Sequence, residues 1–253
     1  SIPENGELVK KDLIEVKKKA KNVILLIGDG MSASQITSYR LLKEGPNGRI
    51  AVDNFPISGI VLTHSADAII TDSASSATAY STGSKTKNGF LGVDQEGRIL
   101  ENLTEKLDNF GFVSALISTS EVTHATPAAF SSHVDSRRNT DEISSQMLES
   151  KVATILGGGR KFFLSAENGG KRKDKRDLLE EAKKSHKILM HKHELDISGI
   201  TPSDRILGLF ADEHLRDEEN PDNHSSEPTL TEMLRFSLER AEAAIDGQCR
   251  GSF

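Results

Sequence analysis

Short, continuous apolar runs alternate with helically patterned segments along most of this chain. That alternation restricts the fold more than any other feature. "NVILLIGDG" (22–30), "FVSALIS" (112–118), "VATIL" (152–156) and "RILGLF" (205–210) read as strands buried on both faces. Residues 57–64 suggest a further strand. Between these runs lie helical patterns over 9–20, 32–46, the stretch beginning at Ser73, 100–111, 139–149 and 229–245. The last has a capping box at Thr229 and Glu232 and an apolar face of Leu230, Leu234, Leu238, Ala241 and Ile245. Strand–helix repetition predicts an α/β fold, a three-layer sandwich with a mainly parallel central sheet. In such sheets ligands bind at the carboxyl ends of the strands. Residues 1–253 are expected to form a single domain, with the highly charged stretch 166–204 as a surface insertion. By the alternation, a buried strand is due after residue 245, where the chain reads "CRGSF".

Charge and composition exclude several roles. A net charge of −6 gives no general attraction to nucleic acid or anionic lipid, so a phosphate site must be local. No apolar run approaches the roughly 20 residues that span a bilayer. Cys249 is the only cysteine, so an internal disulfide is impossible and the redox compartment is undecided.

Three stretches carry candidate chemistry. Asp29 follows the first apolar run and lies between two glycines, where a carboxylate can meet Mg²⁺ or Zn²⁺; an ordinary turn aspartate is the alternative. In "TDSASSATAYSTG" (71–83), Asp72 and Ser73 precede a helix of small residues. Either residue can simply cap that helix. Ser73 can also be a nucleophile at the positive end of a helix whose small side chains let backbone pack beneath a bound group. "THATPAAFSSHVDSR" (123–137) adds His124, Thr126, His133 and Arg137. Thr126 offers a neutral oxygen to a metal or a bond to backbone beside Pro127. Arg137 can fork two hydrogen bonds onto a phosphate or point into solvent. His133 reads as structural.

"GDGM", "TDSASSATA" and "THATPAAFSSHVDSR", in that order and spacing, resemble the alkaline phosphatases, as does "TILGGGRKFF". The resemblance is strong over about 22–159 and looser to the C-terminal helix. It implies a metal-dependent phosphomonoester hydrolase working through a phosphoserine, with two Zn²⁺ and one Mg²⁺ per full-length site. Ser73 would be the nucleophile and a zinc ligand, and Asp29 the carboxylate shared between one zinc and the magnesium. Thr126 would be a magnesium ligand, Arg137 the phosphate clamp, and Asp72 the group that orients Arg137 at the substrate. His124 would sit beside the magnesium through water. The resemblance also implies phosphate monoester substrates, no nucleic-acid partner, a homodimer when full length, and a periplasmic or extracellular location.

The family's later ligand motifs are not found. No "VEGxxxDxxxH" stretch is present, and "ADEHL" (211–215) comes too early to stand for the family's "ADH". His191 and His193 lie in a Lys-rich segment and read as solvated. The sequence is therefore expected to encode about the first half of the fold, without the leaving-group zinc site. Two further readings compete with the monoesterase: a non-catalytic or phosphate-binding remnant, and a related sulfatase or phosphodiesterase-type hydrolase.

Overall fold

The computed structural model describes residues 20–201, 203–217, 226–245 and 251–253. The helix expected over 9–20 falls, apart from Ala20, outside these residues, and so does Cys249.

Four strands form one parallel sheet: β2 (Ala115–Glu121), β3 (Thr154–Gly158), β4 (His186–Leu189) and β5 (Arg205–Leu209), in the order β2-β3-β5-β4. A second, two-stranded parallel pair joins β1 (Phe112–Val113) to β6 (Gly251–Ser252). The register explains the layers. Leu116, Ile155, Leu207 and Ile188 lie on one row across the sheet. Side chains alternate between faces along a strand. That row packs into a core with the helices α2 (Ser73–Thr82), α4 (Ala125–Ala128), α5 (Thr140–Glu149) and α6 (Leu178–Ala182). The next row, with Ile117, Leu156 and Leu189, faces the opposite way, onto Met233 and Phe236 of α7 (Leu230–Ile245). Helix, sheet and helix make the three layers of an α/β fold.

Local sequence sets the helix boundaries. In α1 (Ala33–Glu44) Ser32 and Gln35 form a capping box, and Gly45 at φ 76° ends the helix. Asn102 caps α3 (Leu103–Asp108), and Thr229 with Glu232 caps α7 as expected. The buried stripe of α7 is Met233, Phe236, Ser237, Arg240, Ala241 and Ala244. The expected stripe of Leu230, Leu234 and Leu238 is only partly covered.

Three sequence expectations need correction. Residues 23–28 do not form a buried strand. Only Asn22 makes a bridge, to Ser252, and Val23 to Leu26 are exposed. Residues 57–64 also form no strand, and Ile60 is fully exposed (100%). An apolar run becomes a buried strand only when backbone partners flank it; Val23 N–H reaches the Ser252 carbonyl (3.0 Å), but no ladder among the described residues includes 24–28 or 57–64. Conversely, 166–204 is not a surface insertion. It supplies α6, whose Leu178, Leu179 and Ala182 are in the core, and the edge strand β4. Its charges are anchored inward by Arg172, which is completely buried. The Arg172 guanidinium donates to the Asp141 and Phe162 carbonyls (3.1 and 3.3 Å) and to Ser144 Oγ, and pairs with Asp174.

His186, at the start of β4, is buried with Nε2 unpaired. Burial, with the nearby Arg205 charge, lowers its pKa to about 4. The unfolded chain takes up this proton near pH 6.5, whereas the folded chain refuses it until about pH 4, so stability falls with pH across that window. Between about pH 7.5 and 4.5, urea unfolding of the unaltered chain should lose about 2 kcal/mol more than that of His186→Gln. Equal losses would place the proton uptake elsewhere.

Candidate active site

The site is assembled where α2 and α4 meet. Both helices bury alanines at the contact, Ala74 and Ala77 on one and Ala125 and Ala128 on the other. These short side chains let the helices approach closely and bring their N-terminal ends together. Thr78 ties α2 down further: its Oγ1 donates to the Phe90 carbonyl (3.1 Å) and accepts from Gly92 N–H (3.0 Å). Gly92 has φ +61° and lies against the Ser132 carbonyl and the His133 ring, leaving no room for a side chain.

Asp72, not Ser73, caps α2. Its Oδ1 accepts from Ser75 N–H (3.0 Å), and its Oδ2 from Gly89 N–H (3.1 Å) and the Arg137 guanidinium (3.3 Å). Burial opposes ionisation of Asp72, but the Ser75 and Gly89 amides, the Ser75 hydroxyl and Arg137 outweigh it and lower the pKa. Ser73 is thereby left free of capping duty at the first helical position. Its hydroxyl donates to Asp29 Oδ1 (3.0 Å), while Thr126, in α4, donates to Asp29 Oδ2 (3.1 Å). Asp29 itself stands in a turn continued by Gly30 at φ +65°, with its carboxylate exposed.

Arg137 is held from two sides. Besides Asp72, it donates from Nη2 to His124 Nε2 (3.1 Å). A guanidinium only donates, so Nε2 of His124 is unprotonated and the ring proton is on Nδ1, 3.9 Å from Asp29 Oδ2. Burial, followed by the Arg137 charge, lowers the His124 pKa and favours this neutral form. A continuous polar chain thus runs from Ser73 through Asp29, His124 and Arg137 to Asp72.

The structure brings Asp29, Asp72, Ser73, His124, Thr126 and Arg137 to one place. His133 stands apart, bonded to the Gly92 carbonyl (2.7 Å) and Glu105 (2.9 Å). His191 and His193 stack on each other at an exposed turn. One neighbour escaped the sequence reading. His214, in the "ADEHL" segment, packs edge-on against His124 (centroids 5.8 Å apart) and accepts the Glu121 N–H at Nδ1 (3.1 Å). Its position just after β5, at the carboxyl end of a parallel strand, was the available signal.

A carboxylate flanked by two hydroxyls is an oxygen-only donor set, which suits Mg²⁺ completed by water. A zinc site demands more. Among the described residues no group of three or more His, Cys, Asp or Glu could hold a metal ion, so zinc does not fit the residues present.

The alkaline phosphatase family profile matches residues 20–247. Alkaline phosphatase 4 of Bacillus subtilis (strain 168) is 34% identical over 237 residues, 88% of this chain and 49% of that protein. Among solved structures, alkaline phosphatase from the Antarctic bacterium TAB5 superposes with a TM-score of 0.80 at 32% identity, covering 93% of this chain and 64% of that one. A variant of that enzyme with Mg bound in its M3 site gives 0.76 at 30% identity, covering 92% and 62%. The chain spans about half the length of the curated relatives it matches. With the profile covering nearly all of its length, the chain belongs to the alkaline phosphatase family.

Proposed function

We propose that this chain carries the nucleophile and phosphate clamp of a phosphomonoester hydrolase. The observation that carries this reading is Ser73, freed from capping by Asp72, with its hydroxyl on Asp29 and with Arg137 braced by Asp72 and His124. The first-turn amides of α2 and the helix dipole favour an anion beside Ser73. Arg137 presents a planar fork suited to two phosphate oxygens.

In this reading Ser73 Oγ attacks phosphorus, forming the serine phosphoester as the P–O bond to the leaving alcohol breaks. Asp29, already bonded to the hydroxyl, receives its proton, and the departing alkoxide takes one from water. Water then attacks phosphorus, Asp29 returns its proton to Ser73 Oγ as the serine–phosphorus bond breaks, and the proton lost by the attacking water neutralises the hydroxide left by the first step. Through both steps Arg137 neutralises the non-bridging oxygens, and His124 and Asp72 keep it from swinging into solvent. Asp29 and Thr126 would hold a magnesium ion, which supplies positive charge near the phosphate. No step is assigned to zinc, because the donor set does not fit it.

The lack of a three-residue metal cluster among the described residues favours a second reading, phosphate capture without turnover. Both readings require Arg137, and only the first requires the Ser73 hydroxyl.

Two assays separate them. In an active, longer form of this protein, Ser73→Ala should abolish the acid-stable phosphoenzyme and nearly all turnover of an aryl phosphate. Arg137→Ala should reduce turnover by roughly 10- to 1000-fold while leaving a phosphoenzyme detectable, since the arginine is one of several positive groups there. Near-normal turnover in Ser73→Ala would remove the nucleophile assignment.

The 253-residue chain itself should turn over aryl phosphates very slowly, even with magnesium and zinc added. Among the described residues no metal cluster is available to stabilise the leaving oxygen, a deficit of several kcal/mol, on the order of 10³-fold or more in rate. Robust turnover that disappears in Ser73→Ala would show that ligands beyond those identified complete the site.

A further inference from the structure

The pair between Asp72 and Arg137 (3.3 Å) is one side of a triangle whose other two sides meet at Gly89. Gly89 N–H donates to Asp72 Oδ2 (3.1 Å), and the Gly89 carbonyl accepts from Arg137 N–H (2.7 Å). Gly89 takes φ +86°, in the left-handed region that favours glycine, and from there serves both partners. The residue before it, Asn88, has a partner at each end of its carboxamide. Oδ1 accepts from Asp72 N–H (3.0 Å) and lies 2.9 Å from Ser75 Oγ, while Nδ2 donates to the Ile70 carbonyl (2.9 Å). A backbone N–H only donates and a carbonyl only accepts, so these partners fix which end of the carboxamide is which. The Asn88 backbone is anchored in turn, its N–H donating to Asp67 Oδ1 (3.0 Å).

We infer that Asn88 is a positioning residue for Asp72 and Arg137. Its side chain makes no hydrogen bond to Ser73 or Arg137. It acts by gripping the backbone that enters α2 at two points, one on each side of Thr71. That grip sets the distance from the Asp72 backbone to Gly89, and Gly89 then meets the Asp72 carboxylate and the Arg137 backbone together. Without it the Arg137 side chain would keep Asp72 and His124, but Asp72 would no longer be fixed relative to the backbone that carries Arg137.

The role calls for an amide at this position. Aspartate has the same shape, yet it has no donor for the Ile70 carbonyl and would set a second negative charge near Asp72. Leucine branches at the same carbon with neither donor nor acceptor, so it fills the space and removes only the hydrogen bonds. Where phosphate is concerned, the inference rests on the reading of Arg137 as the clamp. The register of Asp72 and Arg137 stands apart from that reading.

Amide hydrogen exchange on the 253-residue chain, followed by titration with inorganic phosphate, tests it. Asn88→Leu should speed exchange about tenfold or more at the Gly89 and Arg137 amides, neither of which bonds to the Asn88 side chain. The sheet amides of Ile206 and Phe210, bonded to the Ala153 and Gly157 carbonyls, should stay as they are. Phosphate at millimolar concentration should bind the variant about tenfold more weakly than the unaltered chain. Should the leucine not fit, Asn88→Ala removes the same bonds without bulk and is read at the same amides. Unchanged exchange at Gly89 and Arg137 would overturn the inference. Acceleration that is uniform, sheet included, in both variants would overturn it too, by making Asn88 a residue of general stability. So would faster local exchange with undiminished phosphate binding. A failure of the unaltered chain to bind phosphate would instead count against the clamp reading, and the exchange pattern alone would then decide the register.

Discussion

The close contact between α2 and α4 is the constraint on which the site depends. Two helices can approach this tightly only if the facing side chains are nearly absent, and Ala74, Ala77, Ala125 and Ala128 meet that condition. Any larger residue there would force the helices apart, since interiors are close-packed and overpacking is absorbed by backbone shifts. Ser73 and Thr126 sit on the two helices and share one carboxylate. A separation of even an ångström would cost one of those hydrogen bonds. The small-residue run in the sequence is thus a packing device that also positions the hydroxyls.

Much of the fold was legible because its strands are short apolar runs and its helices carry explicit boundary signals. β5 coincides with "RILGLF", β3 overlaps "VATIL" but runs on into the glycines at 157 and 158, and α7 begins at the expected Thr229–Glu232 box. Residues 23–28 and 57–64 were misread for one reason. Hydrophobicity reports a demand for burial, whereas strand formation also needs a paired backbone alongside. Residues 166–204 failed the opposite way. Their many lysines and glutamates hide Leu178, Leu179 and Leu189, and a charge count cannot foresee that Arg172 turns inward to satisfy carbonyls of α5 and the turn at Phe162.

At the site, sequence motifs picked out Asp29, Asp72, Ser73, Thr126 and Arg137, and the fold gathers them. What sequence left open was the division of labour at α2. Only the geometry makes Asp72 the cap and leaves Ser73 facing Asp29. The role of His214 was not legible, because its contact with His124 joins residues far apart in the sequence. It depends on "GGG" at 157–159. A Cβ on Gly158 would strike the Glu213 carbonyl at 1.9 Å, so the loop bearing His214 crosses β3 only over bare backbone.

The Ser73–Asp29 and Thr126–Asp29 bonds join residues 44 and 97 positions apart. No local stretch can preassemble them, and each closes a long loop whose entropy must be recovered by packing elsewhere. The site therefore exists only in molecules whose layers are already joined, and it disappears when any one of them opens. An oxyanion bound there would selectively populate the fully assembled form, with a gain that grows logarithmically with its concentration. The thermal midpoint in the presence of phosphate is then a direct gauge of how completely the chain has folded, independent of whether it turns anything over.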